Sequence, residues 1–268
     1  MNNEHTHPAH SSDQALFEPV LAAAFFLLIA LYLIAGIVSN RRYKKWPMHR
    51  YLLWIAGIIC ATASIIGPLA QKAHMDFTAH MIGHLLLGML APLLLVLAAP
   101  MTLILRAIPI ASARRVSQLL KSRPIRILTD PITASVLNIG GLWILYMSDL
   151  YTVMHLNAIV HTLVHIHMFF AGYVFTASIL LIDPTPHRHN FMYRAIVLIF
   201  ALAGHSILSK IIYAQPPSGV SREQAEHGAM LMYYGGDVVD LVLIVFLCFQ
   251  WYRAVKLRSV LSVEKGVD

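Results

Sequence analysis

Cysteine is scarce in this chain, which has only Cys60 and Cys248 among its 268 residues. Two cysteines inside apolar segments provide no disulfide framework. The sequence also lacks a CxxC pair, and this excludes a thiolate metal site of the zinc-finger or copper-chaperone type. A soft metal ion bound by this chain would therefore have to use histidine or methionine side chains as ligands.

Charged residues are also few: they make up 12% of the sequence, whereas 58% of the residues are hydrophobic. An ordinary soluble domain has about 25% charged residues, so that class of protein is excluded. The apolar residues form runs of about 20, the length that an α-helix needs to cross the hydrocarbon core of a bilayer. These runs do not show the alternation of polar and apolar residues that is typical of a membrane β-barrel. The sequence thus predicts an all-α polytopic membrane protein.

Seven stretches are long and apolar enough to be transmembrane helices. They are residues 19–38, 51–70, 80–105, 131–148, 158–182, 191–213 and 228–252. The short connections between them leave no room for a second domain. We therefore expect one seven-helix membrane domain over residues 19–252. A disordered, histidine-containing external tail (residues 1–18) precedes it, and a basic cytoplasmic tail (residues 253–268) follows it.

The positive charges are distributed unevenly over the predicted loops. Of the 20 lysine and arginine residues, 17 follow the first, third, fifth and seventh spans, and the other three are Lys72, Lys210 and Arg222. Because cytoplasmic loops are enriched in lysine and arginine, we predict an external N-terminus and a cytoplasmic C-terminus. The formal net charge of +7 then lies beside anionic lipid, and we do not expect nucleic acid as a partner.

Histidine is abundant, with 15 residues, and most of them fall on the predicted outer side. His80 and His84 are spaced i, i+4 in the third span, so they project from one helix face about 6 Å apart along the axis. His161 and His165 repeat this spacing at the outer end of the fifth span. Two such pairs at similar depth predict a metal site of four imidazoles, with His205 of the sixth span slightly deeper.

Other residues could support this site. They are Asp237 and Asp240 of the seventh span, the interfacial His74, His155 and His227, and Met81. Each has a structural alternative, because a histidine in a membrane helix is commonly an interhelical hydrogen-bond donor. The aspartates could likewise pair with Lys210. Imidazole and thioether without thiolate suit copper, whereas imidazole with carboxylate would also suit zinc or iron.

Three motifs resemble the CtaG-like family, the seven-span assembly factors of caa3-type cytochrome c oxidase. They are His80-Met81-Ile82-Gly83-His84 running on to Ala91-Pro92 and Ala99-Pro100, His161-Thr162-Leu163-Val164-His165 running on to Phe169, Gly172 and Phe175, and Gly235-Gly236. The resemblance covers residues 20–252. It implies a role in the biogenesis of a haem–copper oxidase in a bacterial inner membrane, with copper as the bound ion and an oxidase subunit as the partner. Self-association of the chain is left open.

Three functions are compatible with the sequence. The first is an assembly factor, not an enzyme, that binds copper and delivers it to the oxidase. The second is an electron-transfer protein in which histidines of two different helices ligate a haem iron. The third is a metal or proton transporter with the histidines as its entry and Asp237 and Asp240 as a relay. Paired i, i+4 histidines favour a small ion, since haem needs only one histidine from each helix.

Overall fold

The computed structural model describes residues 9–185 and 188–265, and these residues form helices without any β-strand among them. In chain order the helices are α1 (Ala9–Asn40), α2 (Met48–Ile65), α3 (Pro68–Ala73), α4 (Phe77–His84), π1 (Leu85–Leu90), α5 (Ala91–Leu97), α6 (Pro100–Ala107), α7 (Ile110–Leu120), α8 (Arg123–Leu128), α9 (Pro131–Ser135), π2 (Val136–Gly140), α10 (Gly141–Met147), α11 (Leu150–Leu156), α12 (Ala158–Leu180), α13 (Phe191–Ala214) and α14 (Arg222–Lys265). Helix α1 thus begins inside the tail that was predicted to be disordered. Residues 1–8 of that tail lie outside the described residues.

Within the described residues, six segments are long and apolar enough to cross a membrane, and a bent pair of helices makes a seventh if it is counted as one span. We name them S1 (Pro19–Asn40), S2 (Met48–Ile65), S3 (Phe77–Leu97), S4 (the pair Pro131–Met147 and Leu150–Leu156), S5 (Ala158–Leu180), S6 (Phe191–Ala214) and S7 (Arg222–Lys256). The two parts of S4 meet at 79°. The prediction of a polytopic helical membrane protein is confirmed, and the orientation of its termini stays a prediction.

The third span is shorter than the predicted 80–105. It ends at Leu97 because Ala99 adopts the left-handed conformation, with φ 54°, and Pro100 then begins a separate helix, α6. Asp183, beyond the end of S5, caps that helix: its carboxylate accepts hydrogen bonds from the backbone N–H groups of Met101 and Thr102 at 3.1 and 2.7 Å. A helix therefore starts where the sequence predicts that one continues.

The other boundaries differ for local reasons. S2 ends at Ile65, before the predicted residue 70, because Gly67 has φ +91° and Pro68 starts α3. Helix α14 begins before residue 228 and runs to Lys265, so part of the predicted cytoplasmic tail continues the last helix. S5 and S6 match their predicted limits to within two residues.

The third span lies in the interior of the bundle, since 67% of its most apolar stretch is buried against 11% for S1. Side chains on S3 therefore point into the protein, whereas much of S1 is left for lipid. S3 and S4 each contain a π-helical turn, π1 directly after His84 and π2 around Asn138. Such turns insert an extra residue into a helix and often occur at functional sites.

Candidate metal site

Four histidines lie together at one end of the bundle, and we call them the rim histidines: His74, His155, His161 and His165. The rings of His161 and His165 are stacked with their centroids 4.2 Å apart. His74, in the turn between α3 and α4, stacks on His161 at 5.1 Å and lies 6.3 Å from His155. His74 is exposed and the other three are partly buried. The rim is thus a surface cluster of imidazoles.

The rim histidines can offer lone pairs of their ring nitrogens to a metal ion. Nδ1 of His155 lies 2.8 Å from the carbonyl oxygen of Tyr151, and Nδ1 of His165 lies 2.9 Å from that of His161. A carbonyl oxygen only accepts hydrogen bonds, so Nδ1 carries a proton in both rings, and the lone pair of the neutral imidazole is then on Nε2. Desolvation of the His74 ring where it stacks on His161, with repulsion from His155, lowers the pKa of His74 below its ordinary value of 6.5. This shift favours the neutral form of the His74 ring at neutral pH.

His80 is buried next to the rim and is held by hydrogen bonds. Its ring centroid is 6.1 Å from that of His155, and its Nε2 lies 3.1 Å from the hydroxyl of Tyr146. The Tyr146 hydroxyl in turn donates to Sδ of the fully buried Met81, at 3.7 Å. Because a hydroxyl has only one proton to give, we assign the other contact as donation from Nε2 of His80 to the oxygen of Tyr146.

His84 and His205 form the deepest group of rings, which we call the buried pair. Their centroids are 6.2 Å apart, and the two residues are only 2% and 3% exposed. Nδ1 of His84 lies 3.0 Å from Sδ of Met168. Nε2 of His84 and both ring nitrogens of His205 have no hydrogen-bond partner among the described residues. An unsatisfied buried polar atom costs about 1–3 kcal/mol, so the pair is suited to a bound ligand that would satisfy these nitrogens.

A cavity of about 20 Å³ adjoins the buried pair. His84, His205 and Asp240 line it, together with residues of both π-helical turns, among them Gly88 and Asn138. The volume is enough for about one water molecule. The π-helical turns of S3 and S4 therefore border the same small polar space.

The segment that contains these histidines matches a known protein family. The sequence model of a family described as cytochrome c oxidase caa3 assembly factor matches residues 30–254. The chain belongs to this family. The matched segment contains all of the rim histidines, His80 and the buried pair, so the candidate site lies within the part of the chain that the model of the caa3 assembly-factor family matches.

Curated relatives of this caa3 assembly-factor chain come from mycobacteria. It is 33% identical over 195 residues to the uncharacterized proteins Mb0105 of Mycobacterium bovis and MT0111 of Mycobacterium tuberculosis, a match that covers 69% of this chain and 29% of each relative. It is 27% identical over 256 residues to the uncharacterized protein ML1998 of Mycobacterium leprae, covering 87% of this chain and 39% of that protein. The chain thus spans less than half the length of these relatives. No solved structure gives a significant match.

The two aspartates of S7 point in different directions. Asp240 is 6% exposed and lines the cavity of the buried pair, whereas Asp237 is exposed on the surface of the helix. Lys210, a predicted partner of the aspartates, instead has its Nζ 5.3 Å from the ring centroid of Tyr233. His227, near the start of S7, is exposed as well. Of the two aspartates, Lys210 and His227, only Asp240 shares the interior with the buried pair.

The structure groups the histidines of this caa3 family member differently from the predicted four-imidazole site. His161 and His165 join the rim, His84 pairs with His205, and His80 lies between the two groups. Among the side chains that the structure describes, no three or more of His, Cys, Asp or Glu are arranged to hold one metal ion. Met168 is one of several methionines toward the outer side of the bundle whose thioethers suit Cu(I), but its contact with His84 does not follow from the sequence. No sequence signal points to Tyr146.

Proposed function

We propose that this chain binds copper through the histidines at one end of its bundle and assists the delivery of copper to a haem–copper cytochrome c oxidase in a bacterial inner membrane. Membership of the caa3 assembly-factor family supports the assembly role. The copper role rests on one observation, a continuous row of neighbouring rings that leads from the surface into the interior. The row consists of His165, His161, His74, His155, His80, Tyr146, His84 and His205, and neighbouring ring centroids are 4.2–6.5 Å apart.

The ligands along this row of rings favour transient binding of copper. The donors in the row are imidazoles, with Tyr146 between His80 and His84 and the thioethers of Met81 and Met168 beside them, and none of the rings is joined by a cysteine. Imidazole and thioether are ligands that copper accepts. A neutral imidazole releases copper more readily than a thiolate does, so an ion could pass from ring to ring and leave again. This suits a protein whose function is transfer rather than turnover.

The interior of the bundle argues for a small ion rather than haem. A bis-histidine haem needs a macrocycle between its two axial ligands, and the cavity beside the buried pair measures only about 20 Å³. The transporter alternative requires a polar path beyond Asp240. The core near Asp240 is largely an apolar cluster that includes Leu93, Val96, Phe175 and Leu243, in which Thr176 and Ser178 are isolated buried hydroxyls. We therefore place delivery to an assembly partner ahead of both alternatives.

The proposal is tested by replacing one histidine from each group. We expect His84→Ala and His165→Ala each to lower the copper content of the purified protein and the cytochrome c oxidase activity of membranes that depend on it. Elemental analysis gives the first quantity and oxygen consumption the second.

The matched control is His49→Ala, because His49 is exposed in the first turn of α2 at the opposite end of the bundle. We expect it to leave both quantities unchanged. Wild-type copper content and wild-type oxidase activity in both the His84 and His165 variants would contradict the proposal.

A further inference from the structure

We infer that His84 and His205 form a two-ligand site for one monovalent copper ion, Cu(I), whose charge is balanced by Asp240. The inference rests on the proposed function for the identity of the metal. It adds the oxidation state, the coordinating atoms and a counter-ion, and it separates a deep binding site from the rim histidines, which would only collect the ion.

The separation of the two rings is the first observation. An imidazole nitrogen binds a metal ion at about 2 Å, and the ring centroid lies roughly 1 Å behind that nitrogen. Two imidazoles that share an ion in line therefore have their centroids about 6 Å apart. The centroids of His84 and His205 are 6.2 Å apart, and their ring planes are inclined by only 31°.

The second observation is the tautomer of His84. The Met168 sulfur can only accept a hydrogen bond, so the proton is on Nδ1 of His84, which donates to it over 3.0 Å. Nε2 then has a free lone pair, and this is the atom that is buried without a partner. Histidine ligands of metal ions are commonly held in this way by a hydrogen bond from their second nitrogen. Both nitrogens of His205 are unpartnered, so either one can serve as the second ligand.

Glycines keep both rings in place. A Cβ atom added at Gly236 would lie 2.5 Å from Cε1 of His205, and one added at Gly88 would lie 3.3 Å from Nδ1 of His84. The His205 ring therefore packs on the backbone of S7, and the His84 ring packs on the following turn of its own span. Larger residues at these positions would push the imidazoles out of their present arrangement.

The negative charge of Asp240 favours a monovalent ion over a divalent one. A buried carboxylate is costly unless a cation compensates it, and Asp240 lines the same cavity as the two imidazoles. Cu(I) on two neutral imidazoles carries one positive charge, which Asp240 cancels. A divalent ion would leave a net positive charge in an apolar interior, which is unfavourable. Zn(II) also prefers four ligands, whereas Cu(I) is stable with two.

The test is a titration of the purified full-length chain with Cu(I) under reducing conditions, in competition with a chromophoric Cu(I) chelator. We expect one tightly bound Cu(I) per chain, and X-ray absorption should show two nitrogen ligands. His84→Gln and His205→Gln should abolish tight binding. Asp240→Asn, which keeps the side-chain shape, should weaken it by about 10–100-fold, the range for residues next to metal ligands.

Two further variants locate the site. Gly236→Ala keeps every ligand but displaces the His205 ring, so it should also weaken Cu(I) binding. His161→Gln at the rim should bind Cu(I) tightly when the ion is added to the purified protein, even if less copper is collected in the cell. Tight Cu(I) binding that survives in folded His205→Gln protein would overturn the inference. Tighter binding of Zn(II) than of Cu(I) would also overturn it. So would a titration in which the wild-type protein binds no Cu(I) tightly, because the cavity would then hold only water.

The inference and the proposed function can fail separately. If the buried-pair variants lose Cu(I) while oxidase activity in membranes is unaffected, the site exists and the delivery role fails. If rim variants lower oxidase activity while buried-pair variants keep Cu(I), the delivery role stands and the deep site is wrong.

Discussion

His80 and His84 lie on one face of S3, yet their rings have different partners. Nε2 of His80 lies against the Tyr146 hydroxyl, while Nε2 of His84 has no partner among the described residues. The i, i+4 spacing predicts that two side chains share a face, but it does not determine which nitrogen of each ring stays free. That depends on Tyr146 and Met168, which belong to S4 and S5. The candidate residues could thus be predicted from the sequence, and their grouping could not.

The Tyr146 hydroxyl should matter for stability, because it is the acceptor for a buried His80. We expect Tyr146→Phe to leave that ring nitrogen unsatisfied and to lower the free energy of unfolding by about 1–3 kcal/mol. Thermal unfolding of the purified protein in detergent measures the change.

Tyr151→Phe is the control for this variant. The Tyr151 ring also packs against His80, with the centroids 5.2 Å apart, but its hydroxyl is not the partner of the imidazole. The two variants should differ clearly in stability. Equal losses would show that the Tyr146 hydroxyl contributes no specific hydrogen bond.

At the scale of helices, S3 and S5 approach each other at a glycine pair. A Cβ atom added at Gly172 of S5 would overlap the carbonyl oxygen of Gly88 in π1. Small residues allow helix backbones to pack closely in membranes. This approach brings Met168, one turn earlier in S5, next to His84. The packing of two helices therefore determines the hydrogen bond that orients a candidate ligand.

Helix boundaries show what the sequence could and could not predict at this scale. S5 and S6 were predicted closely because their apolar runs end at turns. The break at Ala99 was not, because the cap of α6 is Asp183, more than 80 residues away in sequence. The 79° bend of S4 was also missed. It matters for the site, because it places His155 of α11 beside the other rim histidines.

We expect Gly172→Ala to destabilise the protein by about 1–3 kcal/mol, since overpacking an interface forces backbones apart. It should also weaken copper binding, because the shift moves Met168 away from His84. Gly140→Ala is the matched control, as the nearest atom to its added Cβ would be 3.9 Å away. Thermal unfolding and copper content measure both effects. Wild-type behaviour of the Gly172 variant would show that the close approach is not required.

For the whole molecule, the rim histidines and most of the positive charges lie at opposite ends of the bundle. The rim histidines occupy one end, whereas exposed cations such as Arg114 and Arg115 lie in α7 and Arg41 and Arg42 follow α1. The positive-inside rule therefore predicts that the rim faces outwards. Only this orientation lets the protein take up copper from the external side of the membrane.

This orientation can be measured with single cysteines in a background in which Cys60 and Cys248 are replaced by alanine. Glu223 lies at the end with the rim histidines and Gln118 in the basic segment α7, and both are exposed. A membrane-impermeant maleimide should label Glu223→Cys in intact cells and label Gln118→Cys only after the membrane is opened. The reverse pattern would place the rim histidines in the cytoplasm. The ion would then have to come from cytoplasmic copper carriers, and the proposed uptake from outside would be wrong even if the buried pair binds Cu(I).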